Sequence, residues 1–270
     1  MIIAHITDTH IKVPGQFAYR VVDTATYLRA CVAEIARLPV PPDVVVATGD
    51  LVDRGNPGEY AHLRTLLAPL PMPVYVIPGN HDERTAFRAA FAPDGYLPAG
   101  EFLQYTVDVG PLRLVALDTL IPGEGGGELC EARLAWLAET LAMEPRRPTL
   151  ILMHHPPFAT GIVHMDALGL RNADRFADIV SRYPNVERVL CGHLHRSIQA
   201  RVGGTVASVA PSTAHQVALN LSADAPSAFK LEPPGFQLHV WRAGQMVSHT
   251  AVVGDFPGPY PFFKDGQLIP

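Results

Sequence analysis

Cysteine is scarce in this 270-residue chain: Cys31, Cys130 and Cys191 are odd in number and widely spaced, which excludes a disulfide framework and a Cys-x-x-Cys zinc site. A reducing compartment is the expectation. Runs of lysine and arginine are missing as well, and the formal net charge is -5, so the chain lacks the basic surface that stable binding to a nucleic-acid backbone requires. A small soluble ligand suits that charge better. No apolar stretch is long enough to cross a bilayer, and Met1 to His10 runs straight into polar, ligand-type residues without room for a cleavable signal. The expectation is a cytoplasmic protein with no membrane partner. Internal repeats and low-complexity segments are absent too, and the length suits one large α/β domain spanning residues 1–270.

What is there is an alternation of apolar runs and helical periodicities. Ile2 to Ile6, Val44 to Ala47, Val74 to Ile77, Val107 to Val109, Leu112 to Leu117, Leu150 to Met153 and Val186 to Cys191 read as strands. Between them, Val22 to Leu38 carries Val22, Leu28, Val32, Ile35 and Leu38 at helical spacing and stops before Pro39. Pro57 to Leu67, Thr85 to Phe91, Glu131 to Leu141 and Asn172 to Arg182 read as further helices, with the acceptor side chains of Asn56 and Asn172 at helix starts. From Ile198 to Val253 the pattern changes. Gly203 and Gly204 mark a hairpin turn, and Phe236 to Trp241 with Met246 to Val252 form a hairpin around Ala243 and Gly244, which predicts a second, more antiparallel sheet. Residues 212–270 then form a C-terminal hairpin and an irregular tail that covers a site or forms an interface.

Five patches of ligand-type side chains end these strands: Asp8 and His10, Asp50, Asn80 and His81, His154, and His193 with His195. Buried parallel strands read as short apolar runs, and open α/β sheets bind ligands just beyond the carboxyl ends of such strands. All five patches then point into one crevice. Carboxylate oxygen, amide oxygen and neutral imidazole together suit a divalent transition metal such as Mn, Fe, Zn or Co, whereas Ca calls for oxygen throughout. Seven candidate ligands, His81 not counted, are too many for one catalytic ion but suffice for two if a carboxylate is shared. Two ions roughly 3.5 to 4 Å apart are the usual arrangement for hydrolysing phosphate esters, because a bound water can have its pKa brought to about 7 while both cations offset phosphoryl charge. Attack by a metal-bound hydroxide follows, and no Ser or Cys nucleophile is needed.

Asp-x-His, Gly-Asp, Gly-Asn-His-Asp, His and Gly-His-x-His, in this order, resemble the signature of the calcineurin-like metallophosphoesterases. Within that superfamily the chain is similar to the class III cyclic-nucleotide phosphodiesterases and the related glycerophosphodiesterases, from Met1 to about His215, including Tyr19, the stretch from His154 to Pro157, Met165 with Asp166, and His215. The resemblance implies a four-layer αββα sandwich of two mixed β-sheets flanked by helices. It also implies that Asp8, His10 and His195 hold one metal ion, that Asn80, His154 and His193 hold the other, and that Asp50 bridges. Of the His154 and His155 pair, the family pattern makes the first the ligand. The implied activity is hydrolysis of small phosphodiesters, cyclic nucleotides or glycerophosphodiesters, with His81 facing the substrate as proton donor or phosphoryl contact. Tyr19, Asn80 and His215 are the further substrate contacts.

Bland readings apply elsewhere. His155 is expected beside the site as a packing residue, His5 as a buried structural histidine, and His62, His239 and His249 as ordinary; His164 falls in a loop. Gly123 to Gly127 fails the dinucleotide and P-loop spacings and reads as a flexible loop. Gly49 to Gly55 also resembles the protein Ser/Thr phosphatases, which would pair Asp53 with His81 and send Arg54 to phosphate, so a phosphomonoesterase is the alternative; a non-catalytic scaffold of the same fold is the remaining one. Phe256, Tyr260, Phe262 and Phe263 crowd the tail and point to a homo-oligomer.

Overall fold

In the computed structural model, which describes residues 1–269, the chain opens as β1 (Ile2–Ile6), α1 (Thr24–Ala36), β2 (Val44–Thr48), α2 (Pro57–Leu67), β3 (Val74–Ile77) and α3 (Arg84–Phe91). A hairpin of β4 (Tyr105–Val109) and β5 (Leu112–Ala116) leads to the short β6 (Gly127–Glu128), α4 (Glu131–Met143), β7 (Thr149–Leu152), the one-turn α5 (Val163–Asp166), β8 (Leu170–Arg171), α6 (Ala173–Val180) and β9 (Val186–Cys191). The remainder is strand and loop: β10 (Ile198–Val202), β11 (Thr205–Val209), β12 (Gln216–Val217), β13 (Phe229–Lys230), β14 (Gly235–Arg242), β15 (Gln245–Val252), β16 (Phe263–Lys264) and β17 (Gln267–Leu268).

Two mixed sheets carry the fold, in the orders β15-β14-β1-β2-β3 and β10-β11-β9-β7-β5-β4. Strand residues alternate between faces, and β2 shows what that does: Val45 and Ala47 join the core under α1, α2 and α3, whereas Val44 and Val46 pack against the other sheet. Leu114, Leu150, Leu152 and Leu190 meet them from the second sheet, while Val115, Ile151 and Val189 face Leu134, Leu137 and Phe176 of α4 and α6. Helix, sheet, sheet, helix is therefore the layer order. Every β2 residue is buried, which is why Val44 to Ala47 reads as uniformly apolar.

Local chemistry sets the helix starts. Asp23 accepts the Thr26 amide at 3.1 Å, so α1 begins at Thr24 rather than Val22, and Asn56 with Glu59 forms a reciprocal capping box at α2. Asn172 departs from its expected role: at φ 64° it makes no cap, and its amide donates to the Leu129 carbonyl at 3.0 Å. The C-terminal part also departs from expectation. Apart from the two-residue ladders β12-β13 and β16-β17, its strands do not form a sheet of their own; β11 pairs in parallel with β9, and β14 pairs antiparallel with β1. Each hairpin thereby satisfies an edge that would otherwise expose unpaired backbone groups. Gly127 belongs to a short ladder with Leu170, and a side chain there would overlap the His155 ring, so the expected flexible glycine loop is in part a paired segment.

Candidate metal centre

β1, β2 and β3 run in parallel as neighbours, and so do β7 and β9, so their carboxyl ends place all five patches at one rim between the sheets. The turns there are sharp. Asp8, His10, Asp50, His193 and His195 all have positive φ, between 43° and 73°, a region that non-glycine residues visit only where the surroundings impose it. The glycines beside them permit close approach: a Cβ on Gly79 would overlap the backbone N and Oδ1 of Asp50, and one on Gly192 would overlap the Thr7 hydroxyl.

Side-chain atoms converge in two groups. In the first, His10 Nε2 lies 3.2 Å from His195 Nε2 and 3.7 Å from Asp50 Oδ2, and His195 Nε2 lies 3.4 Å from Asp8 Oδ1. In the second, His154 Nε2 lies 3.1 Å from Asn80 Oδ1 and 3.4 Å from Asp50 Oδ2. Asp50 Oδ2 thus sits between the groups, while its Oδ1 accepts the His81 amide at 2.8 Å. His193 stacks edge-on against His154, and its Nε2 is taken up by the Leu168 carbonyl at 3.1 Å, which leaves Nδ1 for the second group.

The chemistry of this donor set fits divalent cations. His154 Nδ1 is 2.7 Å from the Thr48 carbonyl and His195 Nδ1 is 3.0 Å from the His215 carbonyl, so each must donate there and present an Nε2 lone pair inward. Lone pairs then face carboxylate and amide oxygens, an arrangement that only a cation or extra protons can satisfy. The local electrostatics agree. Burial pushes the His10, His193 and His195 rings below their ordinary range, so they are neutral and their lone pairs are free to bind a cation. Burial works the same way on His154, but the Asp50 and Asp8 carboxylates outweigh it and carry the ring up to about 9, a proton standing where positive charge is wanted. Burial alone would raise Asp50, yet the surrounding imidazoles hold it well below the usual carboxylate range.

Around this centre lies a cavity of about 350 Å³ walled by Tyr19, His81, His164, Leu168, His215 and Phe229, among others. His215 lies 4.5 Å from the His195 ring and 5.2 Å from Tyr19, centroid to centroid, which brings it close enough to His10 and His195 to be a third imidazole of the first group. His81 Nδ1 is 2.8 Å from the backbone carbonyl of Asp53, so its Nε2 faces outward. The Asp53 carboxylate does not pair with His81; it takes Lys12 at 2.6 Å and lies 3.7 Å from the otherwise unpartnered Nδ1 of His10.

The calcineurin-like phosphoesterase family model matches residues 1–197. This chain belongs to that family. It is 39% identical to a probable glycerophosphodiester phosphodiesterase GpdQ of Arcobacter nitrofigilis, over 100% of both chains. It is also 34% identical to the 3',5'-cyclic adenosine monophosphate phosphodiesterase CpdA of Escherichia coli K12, over 79% of this chain and 76% of that one. In fold it is similar to a dimetal phosphatase from Danio rerio, with a TM-score of 0.67 at 14% identity, covering 94% of this chain and 98% of the other.

As a calcineurin-like phosphoesterase the chain brings together every residue its sequence singled out as a ligand, and adds some to which the sequence assigned no role, among them the last residue of the Gly-Asn-His-Asp motif. Asp82 is one: its Oδ2 accepts the amides of Gly79 at 2.8 Å and Leu51 at 3.2 Å, and its Oδ1 accepts the Tyr60 hydroxyl at 2.8 Å, tying the Asp50 and Asn80 loops together. The Leu168 carbonyl, from the turn after α5, and Val217 and Phe229, which face each other across the short β12-β13 ladder, are others. His155 keeps its expected packing role, with Nδ1 2.8 Å from Thr119 Oγ1 and Nε2 3.2 Å from the Gly125 carbonyl. His164, read as a loop histidine, lines the cavity with a buried Nδ1 that has no partner among the described residues.

Proposed function

We propose that the chain hydrolyses small phosphodiesters at a two-metal centre, with glycerophosphodiesters and cyclic nucleotides as the substrate classes. The observation that carries this reading is the position of Asp50 Oδ2, 3.7 Å from His10 Nε2 and 3.4 Å from His154 Nε2, where one carboxylate reaches both groups. Asp8, His10 and His195 would hold one divalent ion and Asn80, His154 and His193 the other, with Asp50 shared; Mn, Fe, Zn and Co all suit these donors. Such ions supply Lewis acidity and an ionisable water. Among the described residues that line the cavity there is no lysine or arginine, which favours a singly charged diester over a dianionic monoester. Arg54, the residue a protein phosphatase reading needs, has a side chain 78% exposed and lies outside this cavity. His81 donates to a phosphoryl oxygen or to the departing alkoxide: burial disfavours its charge, but Asp50 and the Asp53 carbonyl more than offset this and raise its pKa. Tyr19, Asn80 and His215 contact the substrate.

The chain acts as one unit in this reading, because Ser212 donates to the Asp8 carbonyl at 2.9 Å and the His215 carbonyl orients His195, so residues beyond 212 complete the site. Free Cys31, Cys130 and Cys191 suit the cytoplasm, and no helix among the described residues is long and apolar enough to cross a membrane. Phe256, Tyr260, Phe262 and Phe263 are 62–80% exposed, which supports a homo-oligomer; sedimentation at micromolar concentration reading a monomer of 29.2 kDa would refute it. The function is tested by reconstituting the protein with Mn, Co, Zn or Fe(II) and assaying cyclic AMP, glycerophosphoethanolamine, an aryl diester, an aryl monoester and a phosphoserine peptide. Chelator-sensitive turnover of the aryl diester and of one natural diester is expected; a phosphopeptide as best substrate would overturn the reading.

A further inference from the structure

Beside the metal cavity lies a second one, of about 780 Å³, and Tyr19 and His81 line both. Its other walls differ in kind. Lys12, Arg20 and Arg54 line it together with Phe17, Asp53 and Glu59, whereas the metal cavity has no lysine or arginine among its described lining residues. The carboxylates are already committed. Asp53 is held by Lys12 at 2.6 Å, and Glu59 accepts the backbone amides of Arg54 at 2.9 Å and Asn56 at 3.4 Å. Arg54 approaches a carboxylate only at 3.8 Å, and Arg20 has no ion pair or hydrogen bond among the described residues. Two guanidinium groups are therefore left without a close partner. They sit one residue from Tyr19 and one from Asp53, and Tyr19 and Arg20 occupy consecutive left-handed positions, φ 48° and 66°, that send Tyr19 to the wall shared by both cavities and Arg20 to the wall of the second.

We infer that this second cavity binds the alcohol arm of the diester, and that Arg20 and Arg54 select arms ending in an anion, a carboxylate or a phosphate. The inference rests on the phosphodiesterase reading above and adds a specificity to it. The reacting phosphoryl group stays at the metal centre; the arm that leaves it on the His81 side passes between His81 and Tyr19, lies along Phe17, which is 50% exposed, and ends at the two guanidinium groups. Arginine suits the task, because its planar fork matches carboxylate and phosphate oxygens with paired hydrogen bonds. An arm ending in ammonium meets repulsion instead.

Two methyl diesters with arms of similar length, their hydrolysis followed by phosphorus NMR, test this, one made from hydroxybutyrate and ending in carboxylate, the other made from butanediol and ending in hydroxyl. With the metal-loaded protein at low salt, KM for the carboxylate arm is expected to be lower by about tenfold, the scale of a charge-assisted hydrogen bond to a partly exposed group. Salt should narrow the gap. In the Arg20→Ala/Arg54→Ala double variant the ratio of the two KM values should fall to about one, and Arg20→Glu should turn the preference toward an ammonium arm. Equal KM values in the unaltered protein, or a preference that survives the double substitution, would overturn the inference. If neither compound is turned over, the phosphodiesterase reading is what fails; equilibrium binding of the same two compounds then still reads the ratio, and equal affinities overturn the arginine subsite.

Discussion

Two clusters of buried imidazoles occupy this molecule, and they are built on opposite plans. At the rim, His154 and His195 each spend one ring nitrogen on a carbonyl and aim the other at carboxylates and further imidazoles. Between the sheets, His5 and His239 are equally buried, yet each ring nitrogen meets a neutral partner: His5 Nε2 lies 2.8 Å from the Thr48 hydroxyl, His239 Nδ1 lies 2.7 Å from the Ser248 hydroxyl, and the two rings meet at 3.4 Å. Burial does not separate a ligand histidine from a structural one. What separates them is whether the second nitrogen finds a neutral hydrogen-bond partner or faces uncompensated negative charge, and four substitutions can break or sharpen that distinction.

The largest effect is expected at Asp50. Its Oδ2 is the atom common to both rim groups, so Asp50→Ala should lower diester turnover by about 10³-fold or more, the scale of losing several kcal/mol of charge stabilisation. Elemental analysis should show both ions lost. Retention of two tightly held ions with most of the activity would refute the shared carboxylate.

Next comes His81, which sits at the rim but contributes no ring nitrogen to either group as described above. His81→Ala should keep near-normal metal content and lower turnover by about 10²-fold on diesters with poor alkoxide leaving groups, with a smaller loss on aryl diesters. Equal losses on both would leave phosphoryl positioning as its whole role.

Asp82 tests whether the rim depends on groups that touch no ligand atom. Asp82→Asn keeps the shape but leaves one acceptor oxygen where there were two, so either the Gly79 and Leu51 amides or the Tyr60 hydroxyl lose their acceptor, and the Asn80 and Asp50 loops lose part of their clamp. Metal affinity should fall by roughly 10- to 100-fold, the usual cost of an altered outer partner, and titration with a competing chelator measures it. Excess metal should restore turnover. A variant that binds metal as tightly as the unaltered protein would show the clamp to be dispensable.

The sequence displays the rim and marks His5 as a buried structural histidine, but it hides the partner of His5 between the sheets, for a physical reason. Each ligand patch follows its own strand immediately, so local patterning of Ile2 to Ile6 or Val186 to Cys191 already places Asp8 and His193 at strand ends. Adjacent His154 and His155 are indistinguishable by such patterning; the family resemblance singles out the first, and the fold turns it to Asp50 and the other to Thr119. His239 reads as an ordinary strand residue because its meaning depends on β14 lying against β1, a pairing across more than two hundred residues. Backbone contributions carry no residue signature at all, and the Leu168 and Asp53 carbonyls, which orient His193 and His81, could be found only in three dimensions.

The smallest effect concerns stability and separates the two plans by pH. Burial pushes the His5 ring from 6.5 to about 3, and His239 is lowered as well, again chiefly by burial. In the unfolded chain both titrate near 6.5, so below that pH the unfolded state binds protons that the folded state refuses. Their contribution is therefore fully present above about pH 6.5 and is lost as pH falls toward the folded value, at about 1.4 kcal/mol per pH unit for each ring. Between pH 7.5 and 5.0, His5 alone should account for about 2 kcal/mol of lost stability. His5→Gln retains a donor and an acceptor but does not titrate, so it should be somewhat less stable at pH 7.5 and lose less on acidification. Urea unfolding of both proteins at the two pH values reads the difference directly, and metal release at the rim, common to both, cancels in the comparison. Identical losses in the two proteins would mean that the buried pair takes up protons in the folded state, and the neutral plan assigned to it would be wrong.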